Sequence, residues 1–248
     1  MNEDRAVSIE KKAAPLGVSA YKKIVFLTGA GLSKASGLPT YRGEGGIWGS
    51  KQVELVGTKE AIEADPVRVW RSYVDMHRAI SKVKPNAAHR AIADLQRRVS
   101  EDCWVCVLTQ NVDGLHQAAG SETVIEVHGS LRRLRCTQCD VKPWPAPEQL
   151  GDDPPPCPEC GAHSRFDVVL FNEPVDSMLG LKALALLGDC DLKRPVGTSG
   201  LVAPASQFIE LAEEAGARTV CVNTEVQDGR FDEYYLGKAE EVLPVLLG

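Results

Sequence analysis

With 248 residues, 44% hydrophobic and 25% charged, the chain has the composition of an ordinary globular protein, long enough for one large core beside a smaller module. A net charge of -6 offers no general attraction to nucleic acid or anionic lipid, so neither is expected as a partner. The N-terminus mixes charges with small residues and lacks a secretory h-region, and no apolar run reaches the ~18 residues of a membrane span, so a cytoplasmic location is expected.

After an N-terminal extension over residues 1–20, "KIVFLTGAG" reads as a buried parallel strand closed by a glycine turn, and "LSKASG" starts a helix. "NAAHRAIADLQRRV" has apolar residues at helical spacing and leads into a second strand, "CWVCVLTQN". Beyond the cysteine-rich region come "SRFDVVLFNE", a helical "VDSMLGLKALALLGDC", then "GTSGLVAPASQFIELAEEAG", "RTVCVNTE" and a closing helical "AEEVLPVLL". Strands alternating with helices predict an α/β fold with a doubly wound parallel sheet, whose ligands sit at the carboxyl ends of the strands. One segment breaks the pattern. The strand expected before "GTS" is "LKRPV", with Lys193, Arg194 and Pro195 where apolar residues belong, and this predicts an edge position, a shortened strand or local disorder.

Cys136-x2-Cys139 and Cys157-x2-Cys160 form two tight pairs that can place four thiolates around Zn2+. Four protein ligands leave no open coordination position, so the expected metal is structural, and a module this small needs such a staple. Cys103 and Cys106 lie three apart on a strand and point to opposite faces, which makes them core residues rather than ligands. Cys190 and Cys221 are read as buried small residues too.

Gly29, Ala30 and Gly31 stand at a strand end before a helix, either as a tight turn or as a cradle for a pyrophosphate. The hydride-transfer fingerprint is incomplete, because Lys34 replaces its third glycine. Other strand ends carry Gln110, Asn111 and Asp113, then Thr198 and Ser199, then Asn223 and Glu225. Singly each is a turn or cap residue; together they suit a nucleotide crevice. His128, in "EVHGSL", allows three readings: a metal ligand, a buried histidine with a satisfied ring, or a base with an unperturbed pKa near ~6.5.

The segments "GAGLSKASGLPTYRG", "TQNVDGLHQAAG", "EVHGSL", the two cysteine pairs, "GTSGLVAPA", "VNTE" and "LGKAEEVLP" follow one another in an order that resembles the sirtuin family of NAD-dependent protein deacylases, over about residues 22–246. The compact length is similar to that of bacterial members. The resemblance implies a Rossmann-like NAD-binding domain over residues 21–45, 88–132 and 165–248, a helical insertion over 46–87 and a zinc ribbon over 133–164. It places the pyrophosphate of NAD at Gly29, Ala30, Gly31 and Ser199, with Ser33 beside it. Adenosine falls against Gly197, Thr198, Asn223, Glu225 and the backbone near Ala239. Ser36, Tyr41, Arg42 and Trp48 become a loop that closes over the nicotinamide ribose, Gln110 and Asn111 hold that ribose, and Asp113 accepts from the carboxamide.

The implied reaction is transfer of an acyl group from lysine to ADP-ribose with release of nicotinamide, His128 and Asn111 being catalytic. His128 serves as the base for a ribose hydroxyl. The partner is then an acylated lysine on a protein or peptide, paired as a strand between Val168 and Leu201, with Phe171 and Tyr73 along its tunnel. Members that prefer acidic acyl groups carry Tyr and Arg three apart on a helix; here Tyr73 is followed by Met76, which favours neutral groups, acetyl foremost. Mono-ADP-ribosyl transfer, or binding of NAD or ADP-ribose without turnover, are the alternatives. The sequence does not specify an oligomeric state.

Overall fold

The computed structural model describes residues 6–8, 15–40, 56–174, 177–196, 216–225 and 231–248. Its main sheet has the strand order β1-β10-β9-β8-β2-β3-β4, with every pairing parallel. The strands are β1 (Ala6–Ser8), β2 (Lys23–Thr28), β3 (Trp104–Thr109), β4 (Val124–Glu126), β8 (Leu192–Val196), β9 (Arg218–Asn223) and β10 (Glu233–Leu236). β1 lies within the segment read as a plain extension; three residues are too few to leave a period in the sequence.

The sheet is buried on both faces, as a parallel sheet must be, which is why β2 and β3 read as unbroken apolar runs. On one face Ile24, Phe26, Val105, Val107, Leu192 and Val220 meet the helices α4 (Ala87–Arg98) and α7 (Ala239–Leu247). On the other, Val25, Leu27 and Leu108 meet Ala183 and Leu187 of α6 (Ser177–Gly188). The doubly wound fold expected from the sequence is therefore present. Among the described residues no helix is long and apolar enough to cross a membrane.

The expectation for "LKRPV" is corrected. β8 is neither an edge nor frayed: it lies between β2 and β9, in register with β2 from Ile24↔Leu192 to Thr28↔Val196. Against β9 the ladder holds at Leu192, Lys193 and Val196 and skips Arg194 and Pro195, as expected where a proline supplies no N–H. Propensity lost to the pull of two long neighbouring strands and an apolar layer on each side.

A second, three-stranded antiparallel sheet has the order β6-β5-β7, with β5 (Gly129–Cys136), β6 (Trp144–Pro145) and β7 (Ser164–Val168). It starts at Gly129 and ends at Val168, beyond both bounds of the 133–164 module. Trp70 and Val74 of α3 (Pro66–Ile80) pack on Leu131, Leu134, Phe166 and Val168 of this sheet. The short α2 (Lys59–Ala64) precedes α3 and is capped by Thr58.

Candidate functional site

The sheet's order fixes where a ligand belongs. From β2 the chain winds outward through β3 to β4, then returns to lay β8, β9 and β10 on the opposite side. The switch point is between β2 and β8, and the crevice lies past their carboxyl ends. The Gly29 N–H donates to Val196 O over 3.2 Å, stitching those two ends together.

Gly29 is in extended backbone, and Ala30 and Gly31 open the one-turn helix α1 (Ala30–Ser33), followed by a 3-10 turn, Lys34–Ser36. Asn111, just past β3, donates through Nδ2 to Gly29 O at 3.0 Å and Ser33 Oγ at 3.2 Å. Ser33 in turn donates to Asp113 Oδ2 at 2.7 Å, and the Leu115 N–H donates to Asp113 Oδ1 at 2.9 Å. All three side chains are buried, and burial raises the Asp113 carboxyl above its ordinary range, against the donors that lower it. The structure thus joins Gly29, Ser33, Asn111 and Asp113 in one network across two strand ends. Ser36 accepts from Asn86 Nδ2 at 3.1 Å on the far side of α1.

His128 follows β4 and precedes Gly129, the first residue of β5, so it sits where the two sheets meet. Its Nδ1 lies 3.1 Å from Gln110 O. A carbonyl only accepts, so Nδ1 carries the proton and Nε2 keeps its lone pair. Burial lowers the imidazole pKa below 6.5, opposed by the bond to Gln110, and the ring is neutral at pH 7. Gln110 Nε2 is a buried donor without an acceptor among the described residues, as a site for a hydroxyl-rich ligand requires.

Gly129 has φ +77°, and a Cβ there would lie 1.9 Å from Asp167 O. Only glycine permits this crossing. The Val169 N–H donates to His128 O at 3.0 Å, and Arg133 bridges Glu126 (2.5 Å) and Asp167 (3.0 Å) across the same seam.

Asn223 ends β9 and accepts the Thr224 N–H through Oδ1 at 2.8 Å; Glu225 is exposed beyond it, and Ala239 is buried at the start of α7. Tyr41, Arg42, Trp48, Gly197, Thr198, Ser199 and Leu201 lie outside the described residues.

Val168 closes β7, an edge strand of its sheet. Tyr73 stacks on Phe166 at 6.1 Å, and with Ile62, Val69, Trp70 and Val168 these rings line an apolar groove. Phe171 is tied by its backbone to the lead of α2, its N–H donating to Gly57 O at 2.8 Å. Asn172, which follows, has φ +66°, a conformation that asparagine tolerates better than most residues.

The Sγ atoms of Cys136, Cys139, Cys157 and Cys160 all lie within 4.8 Å of one another. The N–H groups of Cys139 and Gln138 donate to Cys136 Sγ, each at 3.3 Å, and bring that thiol down to about 6. Four converging sulfurs fit a closed tetrahedral zinc site. The other cysteines differ: burial pushes Cys106 and Cys221 up to about 12, as inert core thiols. The metal-ligand reading of His128 has no support, since the sulfur cluster stands complete without it.

Sequence reading missed two buried histidines, His89 and His116, beneath this site. The signal was there: His89 occupies the core face of a helix whose other inward residues are Ala88, Ile92, Ala93 and Leu95, and His116 directly follows the buried Leu115.

Fold and site together define a doubly wound nucleotide-binding α/β protein with a four-thiolate ribbon set into it. The family model described as Sir2 family matches residues 29–204, and the chain belongs to that family. It is 45% identical over 201 residues to NAD-dependent protein deacylase 1 of Caldanaerobacter subterraneus subsp. tengcongensis, covering 81% of this chain and 82% of that one. Among solved structures, the crystal structure of a Sir2 homologue–NAD complex is 32% identical with a TM-score of 0.85, covering 95% of this chain and 94% of that one. A complex of Sir2 with a p53 peptide and NAD+ is 27% identical with a TM-score of 0.78, covering 91% and 92%.

Proposed function

We propose that the chain is an NAD-dependent protein-lysine deacylase, which transfers the acyl group of a modified lysine to ADP-ribose and releases nicotinamide. The observation that carries this reading is His128: its Nδ1–H is committed to the carbonyl of Gln110, the residue before Asn111, which leaves Nε2 as the basic nitrogen, and Asn111 joins Ser33 and Asp113 in one buried network. The named activity of the relatives supports it. NAD is the co-substrate. In this assignment Gly29, Ala30 and Gly31 approach its phosphates, Gln110 and Asn111 hold the nicotinamide ribose, and Asp113 holds the carboxamide. His128 takes a proton from a ribose hydroxyl, a task suited to a neutral imidazole.

Ser199 is assigned to the pyrophosphate, and Gly197, Thr198, Asn223, Glu225 and Ala239 to adenosine. Ser36, Tyr41, Arg42 and Trp48 are assigned to a closing loop that keeps water from the reacting sugar. Residues 21–45, 88–132 and 165–248 form the NAD-binding domain in this reading, with insertions at 46–87 and 133–164 and an extension at 1–20. The outer edge of β7, unpaired among the described residues, supports main-chain pairing with an extended peptide at Val168, Leu201 flanking it and Phe171 and Tyr73 along the tunnel. Met76 packs into the apolar cluster, while Arg78 is engaged by Asp75 and by Leu150 O, so a neutral acyl group is favoured, acetyl foremost. The eight free cysteines fit a reducing, cytoplasmic setting. The zinc holds the ribbon and takes no part in the chemistry.

Incubation with NAD and an acetyl-lysine peptide tests the reading: one nicotinamide is expected per acetyl group lost, and none from His128→Ala. Added ADP-ribose mass on protein would indicate transfer instead, and NAD binding without either product a non-catalytic module. A frayed "LKRPV" would favour such a module, and β8 is formed.

A further inference from the structure

His89 of α4 and His116 of α5 (Leu115–Ala118) are 0% and 1% exposed, their ring centroids 5.0 Å apart in an edge-on contact. Burial holds their pKa values down to about 4 and about 3, so both rings are neutral at pH 7. Their hydrogen bonds then fix the tautomers. The Asn86 N–H donates to His89 Nδ1 at 3.3 Å, which puts the ring proton on Nε2. Thr28 Oγ1 gives its only proton to Thr109 Oγ1 at 2.8 Å, so it accepts at 3.0 Å from His116, whose proton is therefore also on Nε2.

What is left over is complementary. His89 Nε2–H is a buried donor and His116 Nδ1 a buried acceptor, and neither has a hydrogen-bond partner among the described residues. A lone unsatisfied group of either kind is costly, whereas a donor facing an acceptor is not.

We propose that this pair is joined through one water molecule into an unbroken hydrogen-bond chain from Asn86 to Thr109, making His89 and His116 positioning residues for the nucleotide cradle. Both ends of the chain reach that cradle. At one end Asn86 Nδ2 holds Leu32 O at 2.8 Å and Ser36 Oγ at 3.1 Å, fixing the turn after Gly31. At the other, Thr109 Oγ1 accepts the Asn111 N–H at 3.1 Å, fixing the residue whose side chain holds Gly29 and Ser33. The chain is neutral along its length and carries no net proton, so its function is geometric. Its consequence for turnover rests on the proposed roles of Asn111 and the Gly29 turn.

Two readouts on the full-length protein test it. Nitrogen-15 NMR of the wild-type imidazoles is expected to show both rings as the Nε2–H tautomer, without titration between about pH 5 and pH 8. An Nδ1–H tautomer, or titration of either ring in that range, overturns the proposal. Calorimetric NAD affinity and deacetylation kcat are each expected to fall on the order of 10-fold or more in His116→Phe. His116→Gln, which returns an N–H at the same reach, is expected to recover most of that loss. The double variant His89→Phe/His116→Phe is expected to be no worse than the single, since one chain is broken either way. Unchanged NAD affinity in a folded His116→Phe, or additive losses in the double variant, sinks it; should His116→Phe not fold, the NMR and His116→Gln decide. Because tautomers need no turnover, a protein with both rings as Nε2–H and no deacetylase activity would refute the proposed function and leave the chain standing.

Discussion

Arg194→Met is expected to stabilise the protein. Arg194 occupies the middle of β8, faces the apolar layer between Leu192 and Val196, and is 0% exposed. Its Nε and both terminal nitrogens lack hydrogen-bond partners among the described residues, and the guanidinium carbon is 6.0 Å from the centroid of the Phe26 ring. Glu233, a carboxylate that attracts the guanidinium, is taken by Arg218 and by the Tyr235 hydroxyl. Burial holds the Arg194 pKa down to about 10 from 12.5, which corresponds to roughly 3 kcal/mol of destabilised charge. Exchanges of buried ions for apolar side chains give a gain of ~1–4 kcal/mol, which agrees. Methionine keeps an unbranched stem without the nitrogens.

Guanidinium denaturation at pH 7 should show a higher midpoint with an unchanged slope, and calorimetry a melting temperature raised by roughly 6–12 °C. The pH dependence has a definite sign. Below pH 10 both folded and unfolded chains hold the proton and the gap is full; above it the folded wild type releases the proton first, so wild-type stability rises and the gap narrows. A midpoint that is unchanged or lowered at pH 7 would mean that the guanidinium is satisfied where it lies, and would refute the estimate. Nothing in the structure explains why arginine stands at this position.

The acid limb of the deacetylation rate should fall below pH 6.5, since His128 must be neutral to accept a proton and burial lowers its pKa; a limb above 6.5 in the kcat profile would contradict this. Denaturing the protein should release about one Zn2+ per chain, measured by a chromophoric chelator, and native protein without zinc would count against the four-thiolate site. Gly129→Ala should lose on the order of 3 kcal/mol and most activity, because the new Cβ meets Asp167 O at 1.9 Å at a φ of +77°; an intact melting temperature would show that the seam can relax.

Much of this was legible in the chain. A parallel strand buried on both faces has to be a continuous apolar run, and β2 and β3 announce themselves that way. Ligand spacing is equally local, so the four cysteines could be assigned before their sulfurs were seen to converge. β8 was misjudged because its place between β2 and β9 is a property of the sheet and not of its own five residues. β1 was too short to show a pattern. The tautomers of His89, His116 and His128 depend on partners 3 to 88 residues away in sequence, and no spacing rule encodes them.

The placement of His128 at the seam has a mechanical corollary. β5 leaves Gly129 and reaches Cys136 seven steps later, an arm of roughly 24 Å at ~3.4 Å per residue. A tilt of the ribbon about the Gly129 crossing moves the cysteine end far and the imidazole hardly at all, because the imidazole is at the fulcrum and held there by Gln110. The zinc end of the ribbon can therefore differ in length or pitch without re-aiming the base.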